Sequence, residues 1–207
     1  MKLFYFDLYG RAEGIRMLLH KAGVQFEDVR ITREQHAAMK EEGKLEYGQV
    51  PMLELDDGTR LVQGNAIIRY IARQYNMLPA SNLEAYQANK ILDYQEDWVT
   101  TKIIAMFGHP DKEAATKKLF EQDVPEILKW YEKTVAGKKY AVGGKYTFVD
   151  TLMLGFLHDL VLNPKSPMAA MWQQAWEAHA GPGTKEYLEN MREEHKDYLA
   201  NRKTCTF

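Results

Sequence analysis

Tyr5-Phe6-Asp7-Leu8-Tyr9-Gly10-Arg11-Ala12-Glu13 is the stretch on which the fold turns. It closes a strand-like run, Leu3–Asp7, and opens a helical one within a few residues. Ala12–Lys21 carries Ile15, Leu18 and Leu19 on one helical face, and Gly23 stops it. Phe26–Ile31 is a second short run with aromatic and β-branched residues, so the order is β-α-β. A helix near Glu34–Glu42 follows. Met52–Leu55 and Arg60–Val62 then flank Asp56-Asp57-Gly58, a tight-turn signal that predicts a hairpin. Asn65–Tyr75 repeats the helical pattern with Ile67, Ile68, Ile71 and Tyr75. The sum is a small mixed sheet with helices packed on it.

Beyond the linker-like stretch Asn76–Asn82 the strand signals fade and three long apolar stripes follow. The first is Leu92, Val99, Ile103 and Met106; the second runs from Phe120 through Val124, Ile127, Leu128 and Tyr131 to Val135. Pro125 lies inside the second, and a proline there removes a hydrogen bond, so a kink or break is expected. The third, Val149 to Val161, follows Thr147-Phe148-Val149-Asp150, which matches a helix capping box. Further helices are expected at Pro167–His179 and Thr184–Leu199.

Composition narrows the function classes. With 207 residues, 45% hydrophobic, 27% charged and 7 prolines, the chain has the make-up of a globular protein. A net charge of -2 without a basic block argues against nucleic acid, which needs a concentrated positive face. No run approaches the ~20 apolar residues that span a bilayer, and Asp7 interrupts any leader core near the start. Cys205 is the single cysteine, so an intrachain disulfide and a Cys-x-x-Cys redox centre are both excluded. Thiol chemistry must come from a bound ligand. The histidines lack ligand spacing, and neither a P-loop nor a dinucleotide fingerprint occurs, so no metal or nucleotide is expected.

Tyr5 and Arg11, followed by Tyr47-Gly48-Gln49-Val50-Pro51 and Leu61-Val62-Gln63-Gly64-Asn65-Ala66-Ile67, resemble the motifs of a cytosolic glutathione transferase of the tyrosine-type classes. The order of motifs is followed from residue 3 to about residue 162, and Asp-Tyr-Leu-Ala-Asn-Arg near the end looks sigma-like. The loop over 40–47 looks alpha-like, while Tyr-Gly-Gln-Val-Pro looks pi-like. The resemblance implies an α/β plus all-α architecture. A thioredoxin-like βαβαββα domain over 1–78 binds glutathione, and an all-helical domain over 83–207 covers an apolar co-substrate.

It also implies site residues. A free thiol with a pKa near ~8.5 is only a few per cent thiolate at neutral pH. By resemblance, the Tyr5 hydroxyl and the Arg11 guanidinium supply the missing preference for the anion, each pKa unit requiring ~1.4 kcal/mol. Either residue alone reads better as a packed strand aromatic or a surface charge; the constellation reverses that preference. Val50-Pro51 resembles the family's cis-proline turn, which pairs the Val50 backbone with the tripeptide like an added strand. Gln49 and Gln63 match positions that contact glutathione. Lys40, with Lys44 as a rival, matches the residue that pairs with the glycyl carboxylate. Asp97 matches an acidic residue that reaches the ammonium of glutathione in a neighbouring subunit; a solvated helix charge is the equal alternative.

The chain departs from the family pattern twice. Gly64 stands where relatives usually place a hydroxyl, leaving its amide to hold the γ-glutamyl carboxylate, and His36 aligns with a tryptophan at the glycyl end. Tyr47 sits where some classes insert an aromatic key into a homodimer partner, although packing within the chain is nearly as good an account. Leu8, Ile104 and Phe207 are nominated for the co-substrate wall from position and apolarity. The expected function is conjugation of glutathione, as co-substrate and without metal, to apolar electrophiles in cytoplasmic detoxification. Peroxidase or prostaglandin-isomerase activity would be a side reaction. A non-catalytic binding or structural protein of the same fold, as some lens crystallins are, is the alternative.

Overall fold

A computed structural model of the chain describes residues 1–205. It divides into two compact units: Met1–Leu78 joined by the described residues from His195 on, and Pro79–Glu194. The resemblance implies a helical domain over 83–207; by contacts, the last described stretch of that span groups with the first unit.

The first unit runs β1 (Lys2–Phe6), a 3-10 turn (Gly10–Ala12), α1 (Glu13–Lys21), β2 (Glu27–Ile31) and α2 (Arg33–Glu41). It continues with β3 (Met52–Glu54), β4 (Arg60–Val62) and α3 (Gly64–Gln74). The strands form one sheet in the order β2-β1-β3-β4, with β1 parallel to β2 and antiparallel to β3. This is the expected βαβαββα order of a thioredoxin-like domain. The β3–β4 hairpin closes where the Leu55 amide donates to the Thr59 carbonyl at 2.8 Å, and Gly58 takes a φ of +85° that a side chain would resist. Thr32 and Gln35 cap α2 reciprocally, each side chain bonding the other's backbone amide.

α1 departs from the one-faced helix that its sequence predicts. Residues 13 to 19 are all buried, Glu13 and Arg16 included. Ile15, Leu18 and Leu19 belong to the apolar core with Leu3 and Leu53, and α1 packs against α3. Two ionised side chains inside a core need partners, because an unpaired buried charge is very costly. The two pair with each other at 3.0 Å, Arg16 also pairs with Asp28, and Glu13 is met by Tyr198 and Arg202 from the far end of the chain.

The second unit is helical: α4 (Asn82–Trp98), α5 (Ala105–Gly108), α6 (Lys112–Lys118), α7 (Val124–Val135), α8 (Phe148–Gly155), α9 (Ala169–His179) and α10 (Pro182–Glu194). Each apolar stripe expected as one helix contains a wider π-helical stretch, at Val99–Ile104, Leu119–Asp123 and Phe156–Val161. In the second stripe the break falls just ahead of Pro125, which sits in the first turn of α7 where its missing N–H costs nothing. Asp123 closes that stretch. Burial pushes its carboxyl up, but Lys118 at 2.8 Å and Lys102 at 3.0 Å outweigh burial and hold it below the usual range. The expected helix over Thr184–Leu199 ends instead at Glu194, and a short α11 (Lys196–Asn201) starts the part that belongs to the first unit.

α8 enters the core through Asp150, which is 0% exposed. Its Oδ2 accepts from the Thr147 amide at 2.8 Å and the Thr147 hydroxyl at 3.2 Å. Its Oδ1 accepts from the Ala141 amide at 2.7 Å and the Tyr187 hydroxyl at 2.8 Å, tying α8 to a loop and to α10. The carboxylate therefore does more than cap: burial raises its pKa, and these donors pull against that rise. Asp150→Ala orphans four buried donor groups and is expected to cost about 3–5 kcal/mol in urea unfolding, with Asp150→Asn less damaging. A loss under ~1 kcal/mol would show that the network is not what holds α8.

Candidate active site

Strand alternation sends Leu3 and Tyr5 to the buried face of β1, and Tyr5 is 7% exposed. Its hydroxyl reaches past the strand end to the turn that opens α1. There the Arg11 backbone amide donates to Tyr5 Oη at 3.1 Å. The oxygen is engaged as an acceptor, so its own proton remains to be donated outward. A hydroxyl that accepts one hydrogen bond donates the next more strongly. Gly10 makes this approach possible: its φ is +44°, and a Cβ there would stand 2.6 Å from Tyr5 Oη.

Two other elements converge on the same turn. The Val50-Pro51 bond is cis, as the resemblance implies. A Cβ built on Gly64, the first residue of α3, would lie 3.4 Å from Pro51 Cγ and 3.7 Å from the Arg11 carbonyl oxygen. Tyr5, Arg11, Pro51 and Gly64 are thus one locality, although the sequence separates them by up to 59 positions, 64 minus 5. Gln63, just before α3, adopts φ 70° and ψ 102°, a left-handed conformation unusual for a non-glycine residue. Such conformations persist where surrounding structure imposes them, and they cluster at ligand clamps. Gln63 and Gln49 are exposed and Val50 is half-buried.

The loop between α2 and β3 supplies the third side. Lys44 pairs with Glu42 at 2.5 Å, whereas the Lys40 stem lies along Gly48, where a Cβ would come within 3.0 Å of Lys40 Cε. This favours Lys40 over Lys44 as the available ammonium. His36 Nε2 is 3.1 Å from the Gly48 carbonyl, and its ring stacks at a tilt on Phe6 with centroids 5.4 Å apart. His36 thereby fastens the loop to the end of β1. Tyr47 on the same loop is 60% exposed, so packing within the chain does not account for it.

Of the remaining nominees, Leu8 is half-buried in the turn before Gly10. Asp97 is exposed near the end of α4, and Ile104, 47% exposed, ends the first π-helical stretch, both within the second unit. Phe207 lies outside the described residues. A groove of about 600 Å³ in the second unit runs between α6 and α9, with Phe120, Met171 and Ala175 among its walls. None of the nominated residues lines it, so chemistry and volume point to different places, and the chemistry carries more weight.

Sequence reasoning did not nominate Gly10, Glu13 or Arg16. Gly10 carries no chemistry of its own, and only its distance to Tyr5 reveals its role. Glu13 and Arg16 are three apart on a helix, which signals an ion pair but not one at 2% exposure each.

A thioredoxin-like sheet that offers a phenol at the end of its first strand, in place of a cysteine pair, suits a thiol carried in by a ligand. Known proteins specify which class this is. Residues 1–73 match the glutathione S-transferase N-terminal domain, and residues 96–202 match the glutathione S-transferase C-terminal domain. The chain is 36% identical over 159 residues to glutathione S-transferase 1 of Ascaris suum, covering 73% of this chain and 76% of that one. The solved glutathione S-transferase of Ascaris lumbricoides superposes with a TM-score of 0.79 at 30% identity, over 100% of this chain and 98% of that one. The prostaglandin synthase D of Nilaparvata lugens gives 0.82 at 26% identity, over 99% and 98%. The chain belongs to the glutathione S-transferase family.

Gly10→Ala is expected to displace the Tyr5 hydroxyl and lower turnover ~10-fold or more while the protein stays folded. Full activity in Gly10→Ala would mean that this close approach is not required.

Proposed function

We propose that the protein is an enzyme that joins the sulfur of glutathione to electrophilic, apolar small molecules. The observation that carries this reading is the Tyr5 hydroxyl, which accepts the Arg11 amide and keeps its proton for an incoming thiolate. Donation to sulfur favours the anion, and the Arg11 guanidinium adds positive charge. The thiolate then attacks the electrophilic carbon. A carbon–sulfur bond forms, and either a leaving group departs with its electron pair or the pair moves onto an activating group that solvent protonates.

The rest of the site holds the tripeptide. The Val50 backbone beside Pro51 pairs with it in extended form. The Gly64 amide, in the first turn of α3, takes the γ-glutamyl carboxylate. Gln49 and Gln63 hold the polar groups between, Lys40 takes the glycyl carboxylate, and His36 sets the loop that presents Lys40. Leu8, in the turn before Gly10, belongs to the co-substrate wall in this reading. In a homodimer Tyr47 gains burial from a second copy, and Asp97 completes the site of the partner. Detoxification in the cytoplasm is the setting this chemistry suits. Among the described residues no helix is long and apolar enough to cross a membrane.

The likeness to a prostaglandin synthase supports testing a prostaglandin endoperoxide beside chromogenic electrophiles. The Tyr5 and Arg11 geometry favours an enzyme over a non-catalytic protein of the same fold. Calorimetry with glutathione separates the two, since no heat up to millimolar ligand would leave only the non-catalytic role.

Tyr5→Phe is expected to lower kcat/KM at neutral pH by ~10- to 100-fold, the effect of raising the thiol pKa one to two units. Unchanged turnover removes Tyr5 from the mechanism. Gly64→Ser tests the γ-glutamyl end. The added Cβ meets only ordinary contacts, and the hydroxyl supplies one more donor, so glutathione should bind ~3- to 10-fold tighter. Unchanged or weaker binding would place that carboxylate elsewhere.

A further inference from the structure

The Asp-Tyr-Leu-Ala-Asn-Arg stretch near the C-terminus has no part in the reading above, yet two of its residues end in the core of the first unit. The Tyr198 hydroxyl donates to Glu13 Oε1 at 2.7 Å, and Arg202 Nη1 donates to the same oxygen at 2.6 Å. Tyr198 and Glu13 are 185 positions apart in sequence. Burial and then the Glu13 carboxylate raise the Tyr198 pKa, so this phenol stays a donor. The Arg202 guanidinium also lies 4.3 Å from the centroid of the Tyr9 ring, covering the turn between β1 and α1.

The other oxygen of Glu13 accepts from Arg16 Nη1 at 3.0 Å. That nitrogen also donates to the Leu8 carbonyl at 3.0 Å and lies 3.4 Å from the Tyr9 carbonyl. These are the backbone groups of the turn that delivers the Arg11 amide to Tyr5. Arg16 Nε meets Asp28 Oδ1 at 3.0 Å, and Asp28 Oδ2 accepts from Arg30 Nε at 2.8 Å, so the guanidinium is clamped from both sides. Its central carbon sits 5.9 Å from the centroid of the Tyr5 ring, while Nη2 is buried without a hydrogen-bond partner. The buried cation, paired with two carboxylates, is thus also directed at two carbonyls and an aromatic face.

We propose that Arg16 is a positioning residue for Tyr5, and that Tyr198 and Arg202 of the C-terminal segment set Arg16 by fixing Glu13. Arg16 acts in two ways. It holds the Leu8 and Tyr9 carbonyls, which keeps the Arg11 amide on Tyr5 Oη, and it places a fixed positive charge beside the phenol that donates to the thiolate. Tyr198 and Arg202 hold the carboxylate that orients it. The C-terminal segment is then part of the thiol-activating apparatus without touching the ligand. This rests on the reading of Tyr5 as the group that stabilises the glutathione thiolate.

The test uses the full-length protein with Arg16→Lys, Tyr198→Phe, Arg202→Met and Arg202→Lys, each alone and in a Tyr5→Phe background. The readouts are the ultraviolet absorbance of enzyme-bound thiolate against pH, the pH profile of kcat/KM, the KM for glutathione and the Tm. The expected result is a rise of ~0.5–1 unit in the pKa of the bound thiol for Arg16→Lys, Tyr198→Phe and Arg202→Met. It should come with a ~3- to 10-fold loss of kcat/KM below that pKa, recovery at alkaline pH, and a glutathione KM within ~2-fold of wild type. Arg202→Lys should restore part of the shift, and Tyr5→Phe should abolish the effect of the tail substitutions.

A lowered Tm with an unchanged titration overturns the proposal and leaves the segment a structural strap. If Arg16→Lys does not fold, Tyr198→Phe and Arg202→Met decide, since each removes one bond to Glu13. A wild-type titration in Tyr5→Phe sinks the reading of Tyr5 itself. A shifted Tyr5→Phe beside unshifted tail variants sinks only the present inference.

Discussion

The hydrogen bond from the Arg11 amide to the Tyr5 hydroxyl imposes a demand on everything around it. A phenol on a strand projects from the sheet, whereas a backbone amide at the start of a helix projects along the helix axis. Bringing them to 3.1 Å requires a tight turn between β1 and α1, and that turn needs a residue without a Cβ at position 10. The Leu8 and Tyr9 carbonyls of that turn are met by the Arg16 guanidinium. Arg16 holds them, which is why a charged side chain lies inside α1. The cost of burying that charge is met by Glu13 and Asp28, and Glu13 in turn draws in Tyr198 and Arg202. One bond at the site thus fixes the burial pattern of a helix and the destination of the chain terminus.

Much of this was legible from residue order. Strand-like runs, the Asp57-Gly58 turn and the helical faces of α1 and α3 each rest on local chemistry that a sequence displays, and the observed elements start and stop within a residue or two of those signals. Tyr5, Arg11, Pro51 and Gly64 were also nominated from the sequence, and the fold brings those four together. Sequence alone keeps Lys44 as a rival to Lys40 because their difference lies in contacts: Lys44 is paired with Glu42 and Lys40 is not. Tyr47 was undecided for the same reason, since exposure is a property of the folded chain.

What periodicity missed were long-range electrostatics and helix pitch. A stripe of apolar residues looks the same to a 3.6-residue period whether or not one turn is widened, so the three π-helical stretches leave no local mark. Two of them are joined by a charge: Lys102 in the first and Asp123 in the second form a bridge of 3.0 Å that neither stripe predicts. The helix expected over Thr184–Leu199 likewise reads as continuous. It breaks after Glu194 because the residues beyond have partners in the first unit, and competition between helix propagation and ion pairing with Glu13 is invisible to local patterning.

The second unit obeys the same economy with different groups. Asp150 resembles Glu13 in being a buried carboxylate that gathers donors from distant elements, but its donors are neutral amides and hydroxyls. Burial raises its pKa, and the carboxylate anchors α8 to its neighbours. Glu13 is bound to two guanidiniums, and its network presents a fixed cation to an aromatic ring. A charged network thus lies against Tyr5 and the turn beside it, while neutral donors suffice at Asp150.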